Sequence, residues 1–324
     1  MLYPLTFHPI FKERVWGGRR LESLYGKRLP PDATVGESWE ITDRPEGVSV
    51  IANGPLAGRT LRWLMEEHAA ELLGAARALG GRFPLLVKIL DAQDKLSLQV
   101  HPPAALAAFL GGEPKTEMWY ITDATPDAAL FVGLKRGVTR AQFEARVADG
   151  TVAECFHRVN VRAGDAMFLP SGRVHAIGAG SVLFEIQQNS DTTYRVFDWN
   201  RVGLDGRPRE LHVAPSLASI DFTDFEPALL RAEPSSAAAD ACRTLVNDPL
   251  FRVEVGELAA GKSVRCATPS VVVLGVVHGE LVVRHAAGDV TLRAGDFCLL
   301  PACLGEVALH ALGGARFLQA QPGC

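Results

Sequence analysis

Three short stretches carry the residues that could do chemistry: "LSLQVHPP" at 96–103, "KTEMWYI" at 115–121 and "FLPSGRVHAIG" at 168–178. Side chains of a β-strand alternate between its two faces. In the first stretch Leu96, Leu98 and Val100 therefore share one face, and Ser97, Gln99 and His101 share the other. In the second, Lys115 and Glu117 point the same way, and His175 follows the turn of the third. Two imidazoles, a carboxylate and an amide oxygen make a set of nitrogen and oxygen donors suited to a divalent metal such as zinc. A cation held by Gln99, His101, Glu117 and His175 explains why a buried sheet turns polar side chains inward.

The elements that must position these residues are mostly strands. The run "FPLLVKIL" just upstream of Gln99 is almost wholly apolar and reads as a buried neighbour. From Leu2 to about Asn53 short strand-like runs, including "VWGG" and "VGESWEIT", are broken by Gly and Pro. Residues 60–79 change period. Leu61, Leu64, Met65, Ala69, Leu72, Ala76 and Leu79 fall at helical spacing behind a capping Thr60, so a helical insert over about 56–82 interrupts the sheet. A second helix is signalled by "VTRAQFEARVADG", where Thr139 and Gln142 form a capping box, Val138 and Phe143 a hydrophobic staple, and Gly150 the stop. Strands resume through "FHRVNV", "AMFLP" and "SVLFEIQQ"; in the last, Leu183, Glu185 and Gln187 share a face.

Composition sets limits on partners. Charged residues make up 22% of the 324 residues and the formal net charge is -4, so no basic field draws nucleic acid or anionic lipid. An anionic ligand must be met by a local cluster of cations. The N-terminus lacks a charged segment followed by an apolar one, and the longest apolar run, "SVVVLGVV", is too short to span a bilayer. The expectation is a cytoplasmic protein with neither nucleic acid nor membrane as partner. Six cysteines, Cys155, Cys242, Cys266, Cys298, Cys303 and Cys324, are scattered without CxxC pairs and read as reduced packing residues.

The chain also echoes itself. "RAGDAMFLP", Arg162 to Pro170, recurs as "RAGDFCLLP", Arg293 to Pro301. Five residues after the Pro the first copy has His175 and the second Glu306, and the second copy is preceded by no counterpart of "QVHP", only His278 and His285. The stretch "RAEPSSAAADA" is the most linker-like in the chain. We therefore expect a metal-binding domain over 1–230, a linker over 231–242, and a degenerate, metal-free C-terminal domain over 243–324.

"LSLQVHPP", "KTEMWYI", "FLPSGRVHAIG" and "EIQQNSDTTYRVFDW" resemble, in order and spacing, the motifs of type I mannose-6-phosphate isomerases of the shorter bacterial kind, and "VWGG" and "GESWEI" are similar to that family as well. The resemblance is strong over about 4–220 and weaker beyond. It implies a mainly β fold of two cupin (jelly-roll) β-barrels with a small helical insert in the first. It further implies one zinc per chain on Gln99, His101, Glu117 and His175, and it places Lys115 and Arg195 at the active site. Glu185 falls where the family has an acidic residue near the substrate. Arg201 stands where longer members carry a lysine.

The implied reaction interconverts mannose 6-phosphate and fructose 6-phosphate by metal-assisted proton transfer through an enediol. Its developing negative charge calls for a metal or fixed cations, and a phosphate calls for Arg or Lys in reach; Lys115, Arg195 and Arg201 are the expected substrate-binding cations. Lys115, Arg195 and Glu185 are the expected catalytic groups, with the proton carrier left open among Glu185, Lys115 and a metal-bound water. The partner is then a small-molecule sugar phosphate, and the chain a monomer or weak homo-oligomer. Two rivals remain at this point: a metal-dependent cupin oxygenase, which shares a two-histidine, one-carboxylate set, and a non-catalytic sugar-phosphate-binding cupin.

Overall fold

The computed structural model describes residues 1–231 and 242–323, so nearly all of the expected linker lies outside the described residues, as does Cys324. The chain is mainly β. Two antiparallel sheets of the first part position the site. A seven-stranded sheet runs in the order Leu230–Arg231, Asp165–Leu169, Glu117–Ala124, Ser181–Gln188, Leu85–Ala92, Val35–Ile41 and Ile10–Gly18. A five-stranded sheet runs Phe156–Asn160, Ala129–Leu134, His175–Ile177, Leu98–Val100 and Tyr194–Phe197. The C-terminal part holds another five-stranded sheet and a four-stranded one. Each strand order is open, and none of these sheets closes on itself.

The two faces of the seven-stranded sheet have different tasks. On one, Leu90, Trp119, Ile121 and Leu183 pack against Leu130, Val132 and Ile177 of the facing five-stranded sheet. On the other, Ile89, Phe184 and Ile186 join Phe251, Val253, Leu299 and Leu318 in a single apolar core shared with the C-terminal part. Leu5 and Leu299 seal that junction by exchanging two backbone hydrogen bonds of 2.9 and 2.8 Å. The doubled glycine of "VWGG" has a steric reason. A Cβ on Gly17 would lie 2.4 Å from the backbone nitrogen of Gly36, so the outer strand could not cross Val35–Ile41 so closely with any other residue.

The insert is helical over less than its periodicity predicts. Thr60 caps it as expected, its Oγ1 accepting from the Trp63 N–H at 3.0 Å. The helices, however, span only Leu61–Glu67 and Ala69–Leu73, broken at His68 and ended by Gly74 with φ +58°. Beyond Gly74 the chain turns onto the C-terminal part, where the Ala75 N–H donates to the Pro269 carbonyl at 3.2 Å, so Ala76 and Leu79 follow no helix. Among the described residues no helix is long and apolar enough to cross a membrane.

The internal echo is a structural one. In each copy the Arg backbone N–H donates to the Asp carboxylate, Arg162 to Asp165 at 3.0 Å and Arg293 to Asp296 at 2.9 Å. In each, too, a glycine of positive φ turns the chain, Gly164 at +93° and Gly295 at +83°. Glu306, which follows the second copy as His175 follows the first, is exposed and pairs with Arg265 at 3.3 Å.

The second predicted helix forms over Arg140–Asp149 with both hydrogen bonds of the capping box and a left-handed Gly150 at its end. Phe143 is fully buried, with Val138 packed against the same cluster. Thr139→Ala removes one side of the box and should cost about 1 kcal/mol. Chemical denaturation should register that loss while turnover stays at the wild-type value, because the helix contributes nothing to the site described below.

Candidate active site

Register alone assembles the site as two facing rows. Across the seven-stranded sheet Trp39, Lys88, Glu185 and Trp119 are successive cross-strand partners, and Gln187 pairs with Glu117 one step along. Across the facing sheet Arg195, Gln99 and His175 are successive partners. His101 lies just past the end of Leu98–Val100, buried like Glu117 and His175. The strand is shorter than the alternating sequence, yet the alternation holds.

One ligand atom from each of His101, Glu117 and His175 lies within 4.8 Å of the others. Their hydrogen bonds fix which atoms those are. His101 Nδ1 lies 2.8 Å from the Thr192 carbonyl and His175 Nδ1 2.9 Å from the Arg173 carbonyl. A carbonyl only accepts, so each Nδ1 carries the proton and each Nε2 presents a lone pair. Those lone pairs face a carboxylate: His175 Nε2 is 3.3 Å from Glu117 Oε1, and His101 Nε2 is 3.6 Å from Oε2. Burial, and then the charge of Lys115, pushes the His101 ring down to about 4, and burial lowers His175 likewise, so both rings are neutral at neutral pH. Burial alone would raise Glu117, but the Lys115 ammonium beside it holds its carboxyl well below the usual range. Among the described residues His101 Nε2 and Glu117 Oε1 are buried without a hydrogen-bond partner. Two imidazole lone pairs converging on an ionised carboxylate are the donor set of a divalent cation, each ring oriented by a carbonyl behind it. Gln99 adjoins this group, its amide nitrogen 3.2 Å from His175 Nε2, and a half-turn of the amide presents its oxygen instead.

From this group a ladder of alternating charges runs along the wall of a cleft of about 590 Å³. Lys115 Nζ is 2.6 Å from Glu117 and 3.9 Å from Glu185. Glu185 in turn accepts from Lys88 at 3.1 Å and from the Trp119 indole N–H at 2.9 Å. Next comes Glu37, which accepts from Arg14 at 2.8 Å and from the Trp39 indole at 2.7 Å. Burial works against these charges, but Lys88 and Arg14 hold Glu37 down at about 2, while Glu185, Glu37 and Asp191 hold Lys88 above the usual lysine range. Lys88 and Glu37 are among the residues that sequence reasoning missed. Lys88 sits inside a run that reads as apolar core, and only its cross-strand pairing with Glu185 exposes its role.

Arg195 lines the same cleft, as do Lys115, Gln99 and Glu185. Its Nη1 donates to the Glu210 carbonyl at 2.7 Å, while its buried Nε has no hydrogen-bond partner among the described residues. Arg201 is placed differently. Its guanidinium lies on Asp198 at 3.0 Å and on Asp94 at 3.2 Å, and a residue the sequence did not single out, Arg209, lines the cleft. The described cysteines are free thiols, and none lines the cleft. Burial pushes Cys266 up to about 12, in keeping with an inert packing role.

Comparison with known proteins gives a consistent result. Residues 5–129 match the sequence model of the family described as phosphomannose isomerase type I, catalytic domain. The mannose-6-phosphate isomerase ManA of Bacillus subtilis is 38% identical over 311 residues, covering 95% of this chain and 96% of that protein. The crystal structure of a mannose 6-phosphate isomerase from Bacillus subtilis superposes with a TM-score of 0.88 at 30% identity, over 99% of this chain and 100% of that one. A zinc-bound mannose 6-phosphate isomerase shares the fold, with a TM-score of 0.78 at 18% identity over the whole of both chains.

Proposed function

The chain belongs to the type I mannose-6-phosphate isomerases, and from that premise we infer that its cleft interconverts mannose 6-phosphate and fructose 6-phosphate. The observation that carries this reading is the pair of imidazole Nε2 lone pairs turned on the Glu117 carboxylate, next to Gln99 and Lys115 of the cleft wall. His101, Glu117 and His175, with the Gln99 amide oxygen as a fourth donor, would hold one zinc ion. Zinc supplies Lewis acidity to the substrate's carbonyl and hydroxyl oxygens.

The chain's own residues do the rest. Isomerisation takes a proton from C2 of the aldose and returns one to C1, while the C2 hydroxyl gives up its proton and the C1 oxygen gains one, so negative charge develops on those oxygens between the events. Proton transfer falls to the Lys115–Glu185 pair, whose charged atoms are 3.9 Å apart. Lys88 and the Trp119 indole fix the Glu185 carboxylate, so it reorganises little as charge moves. Arg195, with its unpartnered Nε, meets the negative charge of the substrate. The two parts of the chain are read as cupin-type jelly rolls, the first carrying the site and the second, where exposed Glu306 replaces His175, a structural copy.

A coupled assay on fructose 6-phosphate tests the reading. The protein as purified should turn over, lose activity on dialysis against a chelator, and regain it with one equivalent of zinc. A protein that binds zinc but isomerises neither sugar phosphate would overturn it.

A further inference from the structure

The segment after Arg195 brings two guanidinium groups, Arg201 and Arg209, to one carboxylate. Asp198 is almost fully buried and accepts a two-pronged contact from Arg209, Nε at 2.6 Å and Nη2 at 2.5 Å. On its other side it accepts from Arg201 at 3.2 and 3.0 Å, and Arg201 reaches outward to exposed Asp94. Arg195 contributes a third positive charge, and no carboxylate pairs with it in the described residues. Its one side-chain hydrogen bond goes to a backbone carbonyl, and its Nε stays buried and bare. Two of the three cations, Arg195 and Arg209, line the cleft.

The loop that carries Arg209 is built, not slack. Trp199 and Asn200 adopt left-handed backbone, φ +58° and +54°, and the Trp199 indole donates to the Leu96 carbonyl at 2.7 Å. Val202 bridges Pro208, and the Gly203 N–H donates to the Arg207 carbonyl at 2.7 Å. Burial and the nearby charge of Arg209 both lower Arg195. With Asp198 committed to Arg209 and Arg201, and no carboxylate of the described residues paired with Arg195, the two cleft-lining guanidinium groups leave room for a dianion.

We propose that Arg209, oriented by Asp198, is the second guanidinium of the phosphate subsite beside Arg195, and that Arg201 is a positioning residue that holds Asp198. This rests on the isomerase reading of the cleft. Chemically, Arg209 spends two nitrogens of its planar fork on Asp198 and keeps Nη1 outside that contact, while Arg195 has Nε to offer. A phosphate monoester carries about -1.5 to -2 charge and three acceptor oxygens, which matches this surplus.

The test uses zinc-loaded protein and two measurements: binding of inorganic phosphate followed by ³¹P NMR, and KM and kcat for mannose 6-phosphate. Arg209→Gln should weaken phosphate binding and raise KM by about 10- to 100-fold, the worth of a hydrogen bond to a charged group. Arg201→Gln should move both by less than about threefold, a bond at one remove from the ligand. Should Arg209→Gln fail to fold, Arg209→Lys keeps the charge without the fork and should still weaken phosphate binding several-fold. Phosphate affinity unchanged in the foldable Arg209 variant, or weakened as much by Arg201→Gln, would overturn the assignment. Failure of the isomerase reading looks different: the wild type then leaves mannose 6-phosphate unconverted while the ³¹P measurement still reports on Arg209.

Discussion

Replacing His101 and His175 together by alanine should strip the protein of bound zinc and reduce isomerase turnover by about 10³-fold or more, the several kcal/mol that a Lewis acid contributes. After the change only Glu117 and the Gln99 amide are left as donors, and two oxygen donors hold zinc poorly against water. The fold should survive. Neither imidazole closes a sheet hydrogen bond through its side chain, and each spends its Nδ1–H on a loop carbonyl that a water can satisfy. Circular dichroism should therefore match the wild type while metal analysis drops to background. Stoichiometric zinc retained by the folded double variant would place the metal elsewhere.

Arg195→Ala should leave the metal in place and lower kcat/KM by roughly 10²- to 10³-fold, as loss of a donor to developing negative charge does. Among the described residues the side chain makes one hydrogen bond, to the Glu210 carbonyl, so its removal should cost about 1 kcal/mol and shift Tm by roughly 2 °C. Lysine should restore only part of the rate, because an ammonium cannot present two parallel donors. Paired measurement separates the roles. A variant that unfolds early or sheds its zinc makes Arg195 a scaffold residue; one that turns over normally moves the substrate out of this part of the cleft.

How far the site is legible in the sequence follows from which of its contacts are local. Alternation places Gln99 with His101, Lys115 with Glu117, and Leu183 with Glu185 and Gln187, because a period of two is set by the backbone alone. The capping box at Thr139 is equally local. What alternation lacks is register across strands. Lys88 stands in an apolar run and gains meaning only opposite Glu185 and Trp39. Arg209 lies in a loop without periodicity, and its fork onto Asp198 spans eleven residues of irregular chain. The insert marks the opposite failure. Leu72, Ala76 and Leu79 continue a helical spacing, but Gly74 in left-handed backbone and the Pro269 carbonyl redirect the chain. A periodic pattern records which side chains are apolar, and a glycine decides whether the backbone goes on presenting them to one side.

The core that Ile89, Phe184 and Ile186 share with Phe251, Leu299 and Leu318 bears on how inherited or engineered variants of this chain behave. The strands that hold Lys88 and Glu185 toward the cleft have their backs against residues more than sixty positions further along the chain. A lesion at Phe251 or Leu318 touches no reacting group, so molecules that reach the native state keep their per-molecule rate. The lesion acts on how many molecules reach that state, and in a cell a loss of one or two kcal/mol lowers steady-state abundance several-fold. Phenotypes arising in the C-terminal third are then phenotypes of dosage, rescued by higher expression or lower temperature, whereas those at Glu117 or Arg195 persist at any dose.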